Sequence, residues 1–396
     1  MKVTLVCFFI FLKLFSLKVA DAQYPFIRYD LNKIVLPHDS SSWIDFSAKF
    51  NAAKKSKEGK LNILHIGDSH IQGDYFTGQI RKDLFQYLDI KNQSRGITLP
   101  YFVAGTNGPD ELLSGSQGVF QNFSIRKAPE KYFSITGYSI ETSDSVFVIT
   151  LKDTSNYRFN KIQVMHSPFL GQQLKINMQK PALIRKISDS LTISEFIFDE
   201  LQTEFNLLIQ DSKSSSKFAI YGVNLKNTFN EILYHSVGIN GATFGLFLQF
   251  REVNNILNYL IPDCIIISYG TNDALNKSLD ATQLKKNISN CINVIRNAIP
   301  TVPVIFTTPG DYLINKKYPD PRAALITKII KEVALENNCA YWDFYNIMGG
   351  SGSVRDWYKY QLVFKDWIHL SKKGYRLQGD LFFSAFLKLK DLNNDL

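Results

Sequence analysis

Past residue 22, this 396-residue sequence has no apolar run long enough to cross a bilayer. That absence excludes a protein built from membrane-spanning helices. Cysteine is scarce, with four residues in all, and one of them, Cys7, lies inside the amino-terminal apolar run. The other three, Cys264, Cys291 and Cys339, each sit in an apolar strand or helix, and their number is odd. Buried free thiols fit that placement best, while one bridge plus one free thiol stays open in an oxidising compartment. No metal-type spacing joins them to histidines, so neither a metal nor another cofactor is expected. There is no internal repeat, no low-complexity tract beyond Ser214-Ser215-Ser216, and no basic-aromatic nucleic-acid motif. Nucleic acid is therefore not an expected partner.

What is present begins with a leader. Lys2 supplies a positive start, Val3 to Phe15 is mostly apolar, and Ala20-Asp21-Ala22 is a small-x-small cleavage pattern before Gln23. Residues 1–22 are expected to be a secretory signal peptide. Lys13 breaks the apolar run, which is too short for a comfortable anchor. The mature chain should be exported, periplasmic or extracellular, with no stable membrane insertion. Removal takes Lys2, Lys13, Lys18 and Asp21, so the formal charge of +9 falls to +7. A moderately basic exported protein suits an anionic polymer, but charge says nothing about the reaction.

The chain is organised around residues 62–88. Ile63-Leu64-His65-Ile66 reads as a buried strand, Gly67-Asp68-Ser69-His70 as a tight turn, and Phe76, Ile80, Leu84 and Leu88 recur at helical spacing. A strand feeding a helix through a glycine-containing turn presents a side chain at the strand's carboxyl end, where parallel α/β folds bind ligands. That side chain is Ser69. Residues 91–118, rich in Gly, Asn, Ser and Pro, read as loops.

The period then changes. Leu174, Ile176 and Met178 alternate with polar residues, as do Phe205, Leu207 and Ile209, and short strands are expected near 132–137, 145–151, 159–166 and 193–198. This reads as an all-β sandwich over 115–226, inserted between residues 23–114 and 227–396. From Ile232 strands and helices alternate again: a strand to Ile239, a helix stripe from Leu246 to Leu260, and strands at Cys264–Ser268, Val302–Thr307 and Ala340–Phe344. Such alternation predicts a parallel sheet covered on both faces, a flavodoxin-like three-layer α/β/α fold.

Four turns at strand ends carry Ser69; Gly241 in Gly238-Ile239-Asn240-Gly241; Asn272 in Gly270-Thr271-Asn272-Asp273; and Asp366 with His369 in Asp366-Trp367-Ile368-His369. A serine hydroxyl needs a base within hydrogen-bond reach to become a nucleophile. A histidine can serve as that base, and a carboxylate three residues away can orient it. Each piece also has a plainer use, as a helix cap, a turn glycine or a structural histidine. Together and in this order the four blocks resemble the SGNH/GDSL hydrolase superfamily. His70 departs from the more familiar leucine there, and a structural or substrate-shaping role is expected for it.

The resemblance implies that Ser69, Asp366 and His369 are catalytic. It also implies an oxyanion hole made by the backbone N–H groups of Ser69 and Gly241 and the side-chain amide of Asn272. The inserted sandwich and the Gly-Asp-Ser-His turn, with a junction at Tyr221–Leu225 and Tyr234–Ala242, are similar to the peptidoglycan O-acetylesterases of that superfamily. In those enzymes a carbohydrate-binding-like module interrupts the hydrolase. The implied substrate is an acetylated cell-wall glycan, peptidoglycan first. Xylan-type acetyl esters, O-acetyl transfer and inactive glycan binding remain as alternatives. No amphipathic lid helix is apparent, which ranks a lipase lower.

Overall fold

The computed structural model describes residues 24–56, 59–211 and 217–392. The expected signal peptide at 1–22 and the Ser214–Ser216 tract lie outside the described residues.

Five parallel strands form the centre: β1 (Lys60–Gly67), β2 (Glu231–Gly238), β3 (Cys264–Ser268), β4 (Val304–Thr307) and β5 (Ala340–Trp342). Their spatial order is 2-1-3-4-5, the flavodoxin-like order. A short strand, Ile34–Val35, adds an antiparallel edge beside β5. Alternate side chains along each strand enter different cores. Leu64, Ile66, Ile265, Ile267, Val304 and Phe306 pack towards the helices Ala281–Ala298 and Pro321–Glu336. Ile63, Cys264, Ile266 and Ile305 face the helices Tyr75–Leu88 and Lys372–Leu387. Helix starts follow local chemistry: Asp280 accepts from Thr282 and Gln283 N–H groups, and Asp320 accepts from Arg322 N–H ahead of Pro321 at the first helical position. The three cysteines are free and buried. Burial pushes the Cys339 thiol up to about 11, which makes it a packing residue.

Between β1 and β2 the chain builds two antiparallel sheets. One runs Leu183–Lys186, Thr192–Gln202, Phe159–His166, Phe218–Lys226, Tyr138–Thr142 and Gln121–Ser124, with Gly96–Thr98 also paired to Phe218–Lys226. The other comprises Leu112–Gln117, Val146–Asp153, Glu204–Asp211 and Gln172–Ile176. Inward faces meet, as where Phe159 and Phe205 touch edge to face with ring centres 5.9 Å apart. Phe218–Lys226 is buried nearly throughout, as expected for a strand covered on both faces.

Some local expectations fail. Gly96–Thr98 and Leu112–Gln117 lie in the stretch that reads as loop, so antiparallel pairing starts before residue 115. Both segments are short and poor in alternation, and their partners are distant: Thr98 pairs with Val223 and Leu112 with Asp153. Residues 132–137 hold a turn closed by Gly137 N–H to Ser134 C=O at 2.9 Å, not a strand. The stripe from Leu246 to Leu260 divides into two helices, Phe244–Phe247 and Val253–Leu260.

Candidate active site

The register of the sheet assembles most of the site. Gly67 at the end of β1 pairs with Gly238 of β2 on one side and Ser268 of β3 on the other. The three following turns therefore start in one row at the carboxyl rim. Asp68 caps the short helix Ser69–Gln72 by accepting the His70 N–H at 3.0 Å. That helix lies directly against the end of β2. A Cβ on Gly238 would stand 2.1 Å from the Gln72 nitrogen, so only glycine admits this approach.

Ser69 Oγ is 2.9 Å from His369 Nε2, and His369 Nδ1 is 2.7 Å from Asp366 Oδ2. The other Asp366 oxygen accepts the backbone N–H groups of Ile368 and His369, each at 3.0 Å. Burial raises the Asp366 pKa, but those donors and the His369 ring outweigh it, and the carboxyl stays below its usual range. Trp367 makes this geometry possible with a φ of +65°, a costly conformation for a bulky residue. Its ring stacks on Tyr358 at 4.1 Å between centres, which holds the turn.

Ser69 and Gly241 backbone N–H groups donate to no other group among the described residues. Gly241 has a φ of +72°, which suits glycine. Asn272 is differently placed. Its side-chain amide donates to the Ala242 carbonyl at 3.0 Å and to Asp68 Oδ2 at 3.3 Å. Both amide hydrogens are thus committed within the protein, and the longer bond to Asp68 is the one a developing oxyanion can outcompete. Asn272→Ala is expected to lower kcat about 10²–10³-fold while leaving KM for a small ester nearly unchanged. Steady-state kinetics on 4-nitrophenyl acetate decide this, and an unaltered kcat would remove Asn272 from the oxyanion hole.

His70 stacks on His369 with ring centres 4.8 Å apart and an interplanar angle of 26°. Its Nδ1 pairs with the Tyr375 hydroxyl at 2.8 Å. Burial, reinforced by the His369 charge, pushes its pKa down to about 3. His70 is therefore a neutral plate behind the His369 ring. His65, His166 and His235 are fully buried. His65 bonds the Tyr234 and Ser268 hydroxyls beneath the site.

Two clusters escape a reading of sequence. Gln72 is buried, donates to Thr106 Oγ1 at 2.7 Å and the Asn107 carbonyl at 2.6 Å, and accepts from Asn240 N–H at 2.6 Å and the Tyr138 hydroxyl at 3.2 Å. One amide thus ties the Ser69 helix to the Gly241 turn and to the antiparallel module. Asp74, Arg81, Arg95 and Asp153 form a buried, charge-balanced quartet, with Arg95 bridging Asp74 and Asp153. It fixes the helix after Ser69 to the module strand Val146–Asp153, and removing one member leaves an unpaired buried charge. The only sequence signal was polar residues, Gln72 and Asp74, on the heels of the Ser69 turn.

Residues 215–377 match the sequence profile of the GDSL-like Lipase/Acylhydrolase family. A solved structure described as "Peptidoglycan O-acetylesterase in action, 5 min" superposes with a TM-score of 0.75 at 22% identity, covering 90% of this chain and 99% of that one. This is the SGNH hydrolase fold, with antiparallel sheets added. Part of the chain is thus similar in sequence to GDSL-like acylhydrolases, and the fold as a whole is similar to that of the O-acetylesterase structure. A "Multidomain esterase" from Ruminococcus flavefaciens is 23% identical over 237 residues, 56% of this chain and 29% of that protein. The chain thus spans less than a third of this relative's length. No helix among the described residues is long and apolar enough to cross a membrane.

Proposed function

We propose that this protein is an exported serine esterase that removes O-acetyl groups from a cell-wall glycan, peptidoglycan first. The observation that carries the reading is the unbroken relay Ser69–His369–Asp366, at 2.9 and 2.7 Å. His369 Nε2 takes the Ser69 proton as Oγ attacks the acetyl carbonyl carbon. The negative oxygen of the tetrahedral intermediate is met by the Ser69 and Gly241 N–H groups and a redirected Asn272 N–H. The imidazolium, steadied by Asp366, returns the proton to the departing sugar oxygen. Water then enters by the same relay, the acyl bond to Ser69 breaks, and acetate leaves.

The choice of a polymer rests on access and likeness. His369 and Asp366 side chains are 35% and 47% exposed, which suits a site that takes acetyl groups projecting from a chain better than one sealed beneath a lipid lid. The structural likeness to a peptidoglycan O-acetylesterase extends over the module as well as the hydrolase part. Acetate release from O-acetylated peptidoglycan is expected to exceed release from acetylated xylan by at least about tenfold in kcat/KM, on the scale by which a site built for one substrate's polar groups rejects another. Release from xylan alone would overturn the substrate and leave the mechanism standing.

A further inference from the structure

A charged side chain of the module reaches the Gly241 turn. Arg126 follows the module strand Gln121–Ser124, and its Nη1 donates to the Asn240 carbonyl at 3.0 Å. The guanidinium lies against the next residue: a Cβ on Gly241 would be 2.3 Å from Nη1 and 2.5 Å from Cζ. Arg126 is exposed. Buried Arg81 and Arg95, and Arg322, each face a carboxylate, whereas Arg126 has no carboxylate partner among the described residues. Its Nε and Nη2 donate to no group among them either.

One N–H suffices to brace the Asn240 carbonyl. That leaves part of a planar five-donor fork, always charged, beside the glycine assigned to the oxyanion hole. Such a fork matches a carboxylate two bonds at a time. We infer that Arg126 is a specificity residue supplied by the inserted module, binding a carboxylate borne by the glycan near the acetylated hydroxyl. The inference rests on the esterase reading above and deepens it: the substrate is an acidic glycan, and the module selects it. Arg126 holds the substrate and takes no part in proton transfer.

The test compares an O-acetylated oligosaccharide carrying a free carboxylate with the same compound converted to its neutral methylamide. In wild type the acid should be preferred, and added salt should erode the preference, since exposed charge pairs are screened. In Arg126→Gln, which keeps a donor for the Asn240 carbonyl, the acid-to-amide ratio of kcat/KM should fall about 10–100-fold, chiefly through KM. Arg126→Lys should fall between, because it keeps the charge and loses the fork. An unchanged ratio in Arg126→Gln, with both substrates slowed equally, would show that Arg126 only braces the turn and would overturn the inference. A wild type with no preference for the acid would overturn it without any variant, so poor folding of Arg126→Gln cannot shelter it. Wild type and Ser69→Ala on 4-nitrophenyl acetate report separately on the esterase reading: no wild-type turnover, or an active Ser69→Ala, would sink that reading instead.

Discussion

Ser69→Ala is expected to lower kcat on 4-nitrophenyl acetate by up to about 10⁶-fold, close to the background of the solution. The size follows from the relay. Without Oγ there is no atom to form the acyl bond, and His369 is left with only water to activate. The structural cost should be small, because Ser69 Oγ pairs with His369 and Asp68, not Ser69, caps the helix. Thermal unfolding should therefore shift little while turnover disappears, and an activated phosphonate ester should label wild type and not the variant. A Ser69→Ala protein within tenfold of wild type would mean that another group is the nucleophile.

Asp366→Asn should lower kcat about 10⁴-fold with the fold intact. Asn can keep accepting the Ile368 and His369 backbone N–H groups through its carbonyl oxygen, as Asp366 Oδ1 does. Its NH₂ then faces His369 Nδ1 where a carboxylate oxygen now stands at 2.7 Å. Two donors cannot share one bond, so Nδ1 must become the acceptor and the imidazole proton moves to Nε2. That nitrogen then offers a proton to Ser69 Oγ when it should take one. An Asp366→Glu replacement restores the charge at a shifted position, and a larger kcat than that of Asp366→Asn is expected. Equal activity of wild type and Asp366→Asn would show that the carboxylate does not set the tautomer.

The α/β architecture was legible because its signals are local. Strands such as Cys264–Ser268 are continuous apolar runs, helices such as Ala281–Ala298 carry Leu284, Ile288, Ile292 and Ile295 on one face, and Asp and Pro mark their starts. Ser69, Gly241 and Asn272 were legible for a related reason: each sits in the turn that follows a strand, and in a parallel sheet those turns share one edge. Asp366 and His369 do not, since they lie in the loop between the helices Val354–Lys359 and Lys372–Leu387. Gly96–Thr98 and Leu112–Gln117 were illegible because nothing within them specifies a strand, and only their pairing with residues far along the chain makes them so. The division of the stripe at Leu246–Leu260 has no signal in glycine or proline, and none is evident from the structure.

By itself, then, the order of residues determined which chemical groups this protein owns and the strand ends on which Ser69, Gly241 and Asn272 ride, since side-chain type and periodicity are properties of short stretches. Three things were decided only by the tertiary structure. Asn272 has its amide hydrogens committed to Ala242 and Asp68, Gln72 links the Ser69 helix to the Gly241 turn, and Arg126 reaches from the module to lie against Gly241. Each depends on angstrom-scale contacts between segments from 30 to 204 residues apart. Hydrogen bonds reward distance and direction in space and are indifferent to separation along the chain, so no local pattern could have announced them.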